Sequence, residues 1–140
     1  MEKTIWDFIY PFFKRREKWG NPEKMNGALL LLLYRIRTMA DIGISIHCGY
    51  EDRGKNSTSQ HPLGNAVDFH LVTPMALIDQ INMMEGVLES LQVESHVGFG
   101  FYPNWNTPGF HLDVRGFHAR WAYINGDQVN YYQAKKELII

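Results

Sequence analysis

Between Asn21 and Gly43 the apolar residues Ala28, Leu29, Leu32, Leu33, Ile36 and Met39 fall three and four positions apart. That is the period of a helix with one face turned to a core, and Gly43 is placed as its stop. The period then changes. ISIHCGY, residues 44–50, sets β-branched residues on alternate positions and predicts a short strand. EDRGKNSTSQHPLGN is dense in Gly, Ser, Asn and Asp and reads as a long loop. Alternation returns in NAVDFHLV, a second strand. Pro74 at a first turn, with Leu77, Ile78, Ile81, Met84, Val87, Leu88 and Leu91, describes an amphipathic helix. Beyond it HVGFGFY, a turn at PNWNTPG and FHLDVR predict a hairpin-like pair, with ARWAYING as a further strand or turn.

Helices and strands mixed without regular alternation favour an α+β fold, its helices packed on one face of a small antiparallel sheet. At 140 residues without a composition shift, the chain reads as a single domain over residues 1–140. An apolar fraction of 45 % is enough to fill one core. Charge narrows the partners: 14 basic against 15 acidic residues argue against an extended nucleic-acid footprint or a polybasic membrane anchor. The longest apolar run, Ala28 to Leu33, is far short of the roughly 18 residues of a membrane span. One cysteine, Cys48, excludes an intramolecular disulfide. At the N-terminus aromatics precede Lys14, Arg15 and Arg16, the reverse of a secretory signal, so no export signal is expected. Absence of GxGxxG and GxxxxGK[ST] removes the usual phosphate-cradling loops.

The candidate chemistry lies in SQHPLGNAVD, residues 59–68, and GFHLDVR, residues 109–115. A histidine, a carboxylate and a second histidine from these two segments, brought together by a fold, would be three ligands to one zinc ion, leaving its fourth position open. In a strand NAVDFHLV, Asp68 and His70 point to one face, as do His111 and Asp113 in FHLDVR. His61 lies before Gly64 in the loop, so the loop must fold back, a reversal for which Pro62 and Gly64 are suited. Zinc with an open position suits hydrolysis, which needs a base and a cation. Asp113 is the best-placed base, or a group that orients an imidazole. Arg53 and Arg115 compete for a substrate carboxylate or an oxyanion.

SQHPLGNAVD fits SxHxxGxAxD at every fixed position, and so resembles the signature of zinc D-alanyl-D-alanine carboxypeptidases, D,D-dipeptidases and related murein endopeptidases. The helix before ISIHCGYEDR is similar in placement to that preceding the family's SGYR turn, and GFGFYPNWNTPGFHLDVRGFHARW resembles the GVGYYP, FVHxD and closing RxW features of the short murein-peptidase branch. The likeness covers about residues 19–125. It implies a Hedgehog/DD-peptidase-like fold, one Zn2+ on His61, Asp68 and His111, and Arg53 in the place of the arginine after the family's glycine and tyrosine. Here GYEDR replaces SGYR, and Thr107 to Phe110 stand where many relatives carry an acidic residue ahead of the last histidine.

The implied activity is a zinc-dependent peptidase, a D,D-carboxypeptidase or endopeptidase that cleaves peptidoglycan stem peptides. Without an export signal, such an enzyme is expected to be made in the cytoplasm and to reach the wall on lysis, in the manner of phage lysis enzymes. The alternative is a non-catalytic zinc module that binds wall peptide or a protein, as in Hedgehog domains, which resemble these peptidases; a cytosolic D-amino-acid dipeptidase is another. His70 is better explained by packing or a hydrogen bond than as a further ligand. Cys48, with no second cysteine, reads as a small buried residue. Trp105 and Tyr102 are read as core or cleft wall, and Ser59 as shaping the loop, since no Gly-x-Ser-x-Gly elbow surrounds it.

Overall fold

The computed structural model describes residues 4–54 and 57–139 and opens with an element too short to show a period, helix α1 (Ile5–Ile9). A capping box starts it: the Thr4 hydroxyl accepts the Asp7 N–H, and the Asp7 carboxylate accepts the Thr4 N–H at 2.9 Å. The segment belongs to the core although it lies outside the resemblance. Trp6, Ile9 and Phe13 are buried, and Trp6 and Phe13 meet Trp19 edge-on with ring centroids 5.3 and 5.8 Å away.

Helix α2 (Gly27–Ala40) is the expected one. The Asn26 side chain accepts the Ala28 and Leu29 N–H groups at 2.8 and 3.2 Å, satisfying donors that a helix start leaves free. It buries Leu29, Leu30, Leu32, Leu33 and Ile36. Two details differ from the periodic reading. Met39 is 46 % exposed, because the helix end has turned from the core. The stop is Asp41, in the left-handed region at φ 54°, whose N–H closes on the Arg37 carbonyl; Gly43 already begins strand β1 (Gly43–Cys48).

Strand β2 (Ala66–Val72) and helix α3 (Leu77–Ser90) follow as expected, though α3 starts after Ala76 and Pro74 lies in the linker rather than in its first turn. β3 (Gly98–Tyr102) and β4 (Gly109–Asp113) form the hairpin. ARWAYING resolves into β5 (Ala119–Ile124) and a tight turn at Asn125 and Gly126, both with positive φ, leading to β6 (Asp127–Val129). Helix α4 (Tyr131–Glu137) closes the described chain and was not legible at seven residues.

The fold is a single α+β domain of four helices and a six-stranded sheet in the order β1-β2-β4-β3-β5-β6. The expected antiparallel sheet is mostly so, but β3 and β5 pair in parallel. Asp113 and Ala119 both pair with Gly98, so the link 114–118 only has to pass the start of β3, and the chain re-enters in the direction of β3. One face carries Ile44, Ile46, Val67, Phe69, Leu71, Phe99, Phe101, Phe110 and Leu112 and packs with all four helices into one core. Full burial of each large side chain contributes about 1.5–3 kcal/mol. The two-residue period sends Asp68, His70, His111 and Asp113 to the opposite face. Among the described residues no helix is long and apolar enough to cross a membrane.

Candidate metal centre

Register places the first half of the site. Asp68 on β2 pairs with His111 on β4, and a Cys48–Asp68 pairing follows on β1 after a register shift between Ile46 and Cys48. A regular ladder would set His47 opposite Asp68. The extra residue brings Cys48 there instead, a re-aiming typical of β-bulges beside functional sites.

The second half comes from the motif loop, where each fixed position has a local task. The Ser59 hydroxyl accepts the His61 N–H at 3.1 Å, and a 3-10 turn (His61–Leu63) follows. Gly64 ends it at φ 71°, where an added Cβ would lie 1.9 Å from the Lys24 carbonyl oxygen; its own carbonyl accepts the Asn26 N–H at 2.9 Å. The helix cap and the motif loop are thus tied together. Ala66, fully buried, pairs with Asp113, and Asp68 follows two residues on.

These elements bring His61, Asp68 and His111 together. Asp68 lies between two imidazoles, with Oδ2 3.3 Å from His61 Nε2 and Oδ1 2.9 Å from His111 Nδ1. Each ring is anchored through its other nitrogen: His61 Nδ1 donates to the Gly49 carbonyl at 2.7 Å, and His111 Nε2 donates to Asp113 Oδ2 at 2.7 Å. Such backing fixes the tautomer of a metal-binding histidine. Burial works against charge on both rings, yet the carboxylates prevail: Asp68, with help from Cys48, raises His61 to about 9, and Asp113 and Asp68 raise His111. Burial likewise opposes charge on Asp68, but the two histidines hold it well below the usual carboxylate range.

Asp113 is fully buried and fully engaged. Arg115 grips it through Nε to Oδ1 at 2.8 Å and Nη2 to Oδ2 at 2.7 Å, and Oδ1 also accepts the Gly98 and Arg115 N–H groups. Burial favours the neutral acid, but Arg115 and His111 keep it ionised far below its ordinary range. Gly98 makes the room: a Cβ there would sit 2.5 Å from Asp113 Oδ2 and 2.7 Å from Arg115 Nε. In the sequence the only signal of this requirement is the small residue on the site face of GFGFY.

Cys48, His61 and Asp68 form a group that could hold a metal ion, with one ligand atom of each within 4.8 Å of the others. Cys48 is therefore not merely a small buried residue. Its sulfur, however, lies 3.2 Å from Glu51 Oε2 and 3.8 Å from His61 Nδ1, the nitrogen already anchored on Gly49. It stands behind His61 rather than in front of it. The bulge that brought it there leaves no trace in hydropathy.

The site opens into a cleft of about 730 Å³. Arg53 and Arg115 both line it, but only Arg53 is loosely held, by Glu51 at 3.1 Å and Ser59 at 3.4 Å. Tyr102 and Trp105 form the wall, stacked at 4.2 Å between centroids. Among the described lining residues Asp68 is the only carboxylate. His70 lies apart, against His47, in agreement with the hydrogen-bonding reading. Comparison with family models, with curated proteins and with solved structures finds no match for this chain.

Proposed function

We propose that the protein is a zinc metallopeptidase that hydrolyses peptide bonds in peptidoglycan stem peptides, with one Zn2+ on His61, Asp68 and His111. The observation that carries this reading is the convergence of two imidazole nitrogens on the Asp68 carboxylate while the remaining nitrogen of each ring is anchored. Donors around tetrahedral zinc lie about 3.3 Å apart for bonds of ~2.0 Å; His61 Nε2 lies 3.3 Å from Asp68 Oδ2, and His111 Nδ1 lies 2.9 Å from the other oxygen, Oδ1. Choosing His111 over Cys48 rests on direction, since the sulfur faces the wrong nitrogen of His61.

Zinc, when bound, supplies a Lewis acid for the scissile carbonyl and lowers the pKa of water. The chain's own residues supply the rest. Asp113, its oxygens committed to Arg115, Gly98 and His111, acts by orienting His111 rather than as the base. Arg53, exposed and lining the cleft, receives a substrate carboxylate. Specificity for wall peptides rests on the likeness of SQHPLGNAVD and GFHLDVR to the murein peptidases.

One observation favours the second reading, a zinc-containing binding module for wall peptide or protein: no carboxylate other than Asp68 lines the described cleft. Zinc content, measured with release of amino groups from purified peptidoglycan with and without chelator, separates the two. Stoichiometric zinc with chelator-sensitive release supports the hydrolase; zinc without release from wall or from D-Ala-D-Ala peptides supports the module.

A further inference from the structure

On the same sheet face, beyond Asp68, a second pair of imidazoles meets. His47 is the additional residue of the β1 bulge, and His70 lies two residues along β2 from Asp68, so its Cβ is displaced by about 7 Å along the strand. His47 Nε2 and His70 Nδ1 are 2.5 Å apart. The rings meet at a steep angle, 64° between planes with centroids at 4.8 Å, while Trp105 lies against His47 at 5.0 Å. The two histidines, Trp105, Asn106 and Thr107 line a separate pocket of about 370 Å³.

We infer that His47 and His70 form a second metal site, for a Cu2+ or Zn2+ ion, adjoining the His61/Asp68/His111 centre and sharing no ligand with it. Imidazole is a ligand suited to both ions, and copper binds such nitrogen sites most tightly of the divalent first-row series. Two nitrogens at right angles on a tetragonal copper ion lie about 2.8 Å apart for bonds of ~2.0 Å. From 2.5 Å the pair needs to open by a few tenths of an ångström for copper and by about 0.8 Å for the tetrahedral edge of zinc, and His47 is exposed and His70 half-buried, so both rings have freedom to do it. The pocket gives room for an ion with water, and Asn106 and Thr107 add oxygen groups at its wall. A pair that merely shares a proton makes the same contact without a metal, and binding distinguishes the two.

The test is a Cu2+ titration of the metal-free protein, followed by calorimetry and by the nitrogen splitting in the electron paramagnetic resonance spectrum. Wild type should bind two equivalents. H47Q and H70Q should each bind one, losing the two-nitrogen copper signal of the pair, while H61A keeps that signal and loses the other equivalent. Both substitutions lie at solvent-accessible positions, and unchanged circular dichroism confirms that the variants are folded. The inference is overturned if H47Q and H70Q retain the wild-type stoichiometry and spectrum, or if H61A shows no two-nitrogen copper signal. Failure of the peptidase reading would appear elsewhere, as absence of chelator-sensitive hydrolysis with this copper signal intact.

Discussion

Asp113 and Arg115, two residues apart in the chain, close a two-point ion pair with contacts of 2.8 and 2.7 Å, and the same carboxylate holds Nε2 of His111. A guanidinium fork thus sets the angle of a histidine that it never touches. Its planar face also lies 4.9 Å above the Trp121 ring, which limits its own movement.

Replacing Asp113 with Asn, or Arg115 with Lys, should lower zinc affinity about 10- to 100-fold, the usual cost of losing the group behind a metal-binding histidine. Competition against a chromophoric chelator measures it. If Asp113 were instead the base, D113N would bind zinc like wild type and lose turnover alone.

His111→Ala should abolish stoichiometric zinc, whereas Cys48→Ala should leave it in place. Metal analysis after dialysis decides between the two ligand sets. The reverse pattern would put the ion on Cys48, His61 and Asp68.

Gly98→Ala should damage the site more than the fold. A Cβ would occupy the space of the Asp113 carboxylate and the Arg115 side chain, at 2.5 and 2.7 Å. The expected signature is weakened zinc binding with a circular dichroism spectrum like wild type; unchanged affinity would show that the pair relocates freely.

Gly64→Ala should destabilise the whole protein. The backbone conformation alone costs about 1–3 kcal/mol for a residue with a side chain, and the Lys24 carbonyl 1.9 Å from the new Cβ adds to it. Denaturant unfolding of the chelated protein tests this without interference from metal.

The effect of pH follows from His61. Its pKa in the chelated fold is about 9, above the ordinary 6.5, so its ion pair with Asp68 stabilises fully below about 6.5 and fades as pH rises through 9. Zinc requires the neutral ring, so binding displaces a proton over that range. The gain in Tm on adding zinc should therefore grow from pH 6.5 to 9.5. A gain independent of pH would mean that His61 is not the group giving up its proton.

Much of this arrangement was legible in the sequence, for reasons that differ by element. α2 and α3, each of 14 residues, repeat their period often enough to be read. The motif loop was legible because Ser59, His61, Gly64, Ala66 and Asp68 each act over a few residues, so fixed spacing carries the geometry. α1 and α4, at five and seven residues, repeat too little. The parallel run of β5 was hidden because alternation reports which face a residue takes and says nothing of direction. Cys48 escaped because its position depends on one additional residue in a ladder, a property of two strands rather than of either one.

The contact between the N-terminal segment and the site also bears on how the molecule can be cut. Trp19 packs on Trp6 and Phe13, its carbonyl accepts the Tyr50 N–H at 2.7 Å, and the adjacent Gly49 carbonyl holds His61. A version trimmed at residue 19 would keep His61, Asp68 and His111 yet lose the aromatic wedge that braces the carbonyl behind His61. The minimal unit for any chimera or transplanted site is therefore larger than the motif that advertises it.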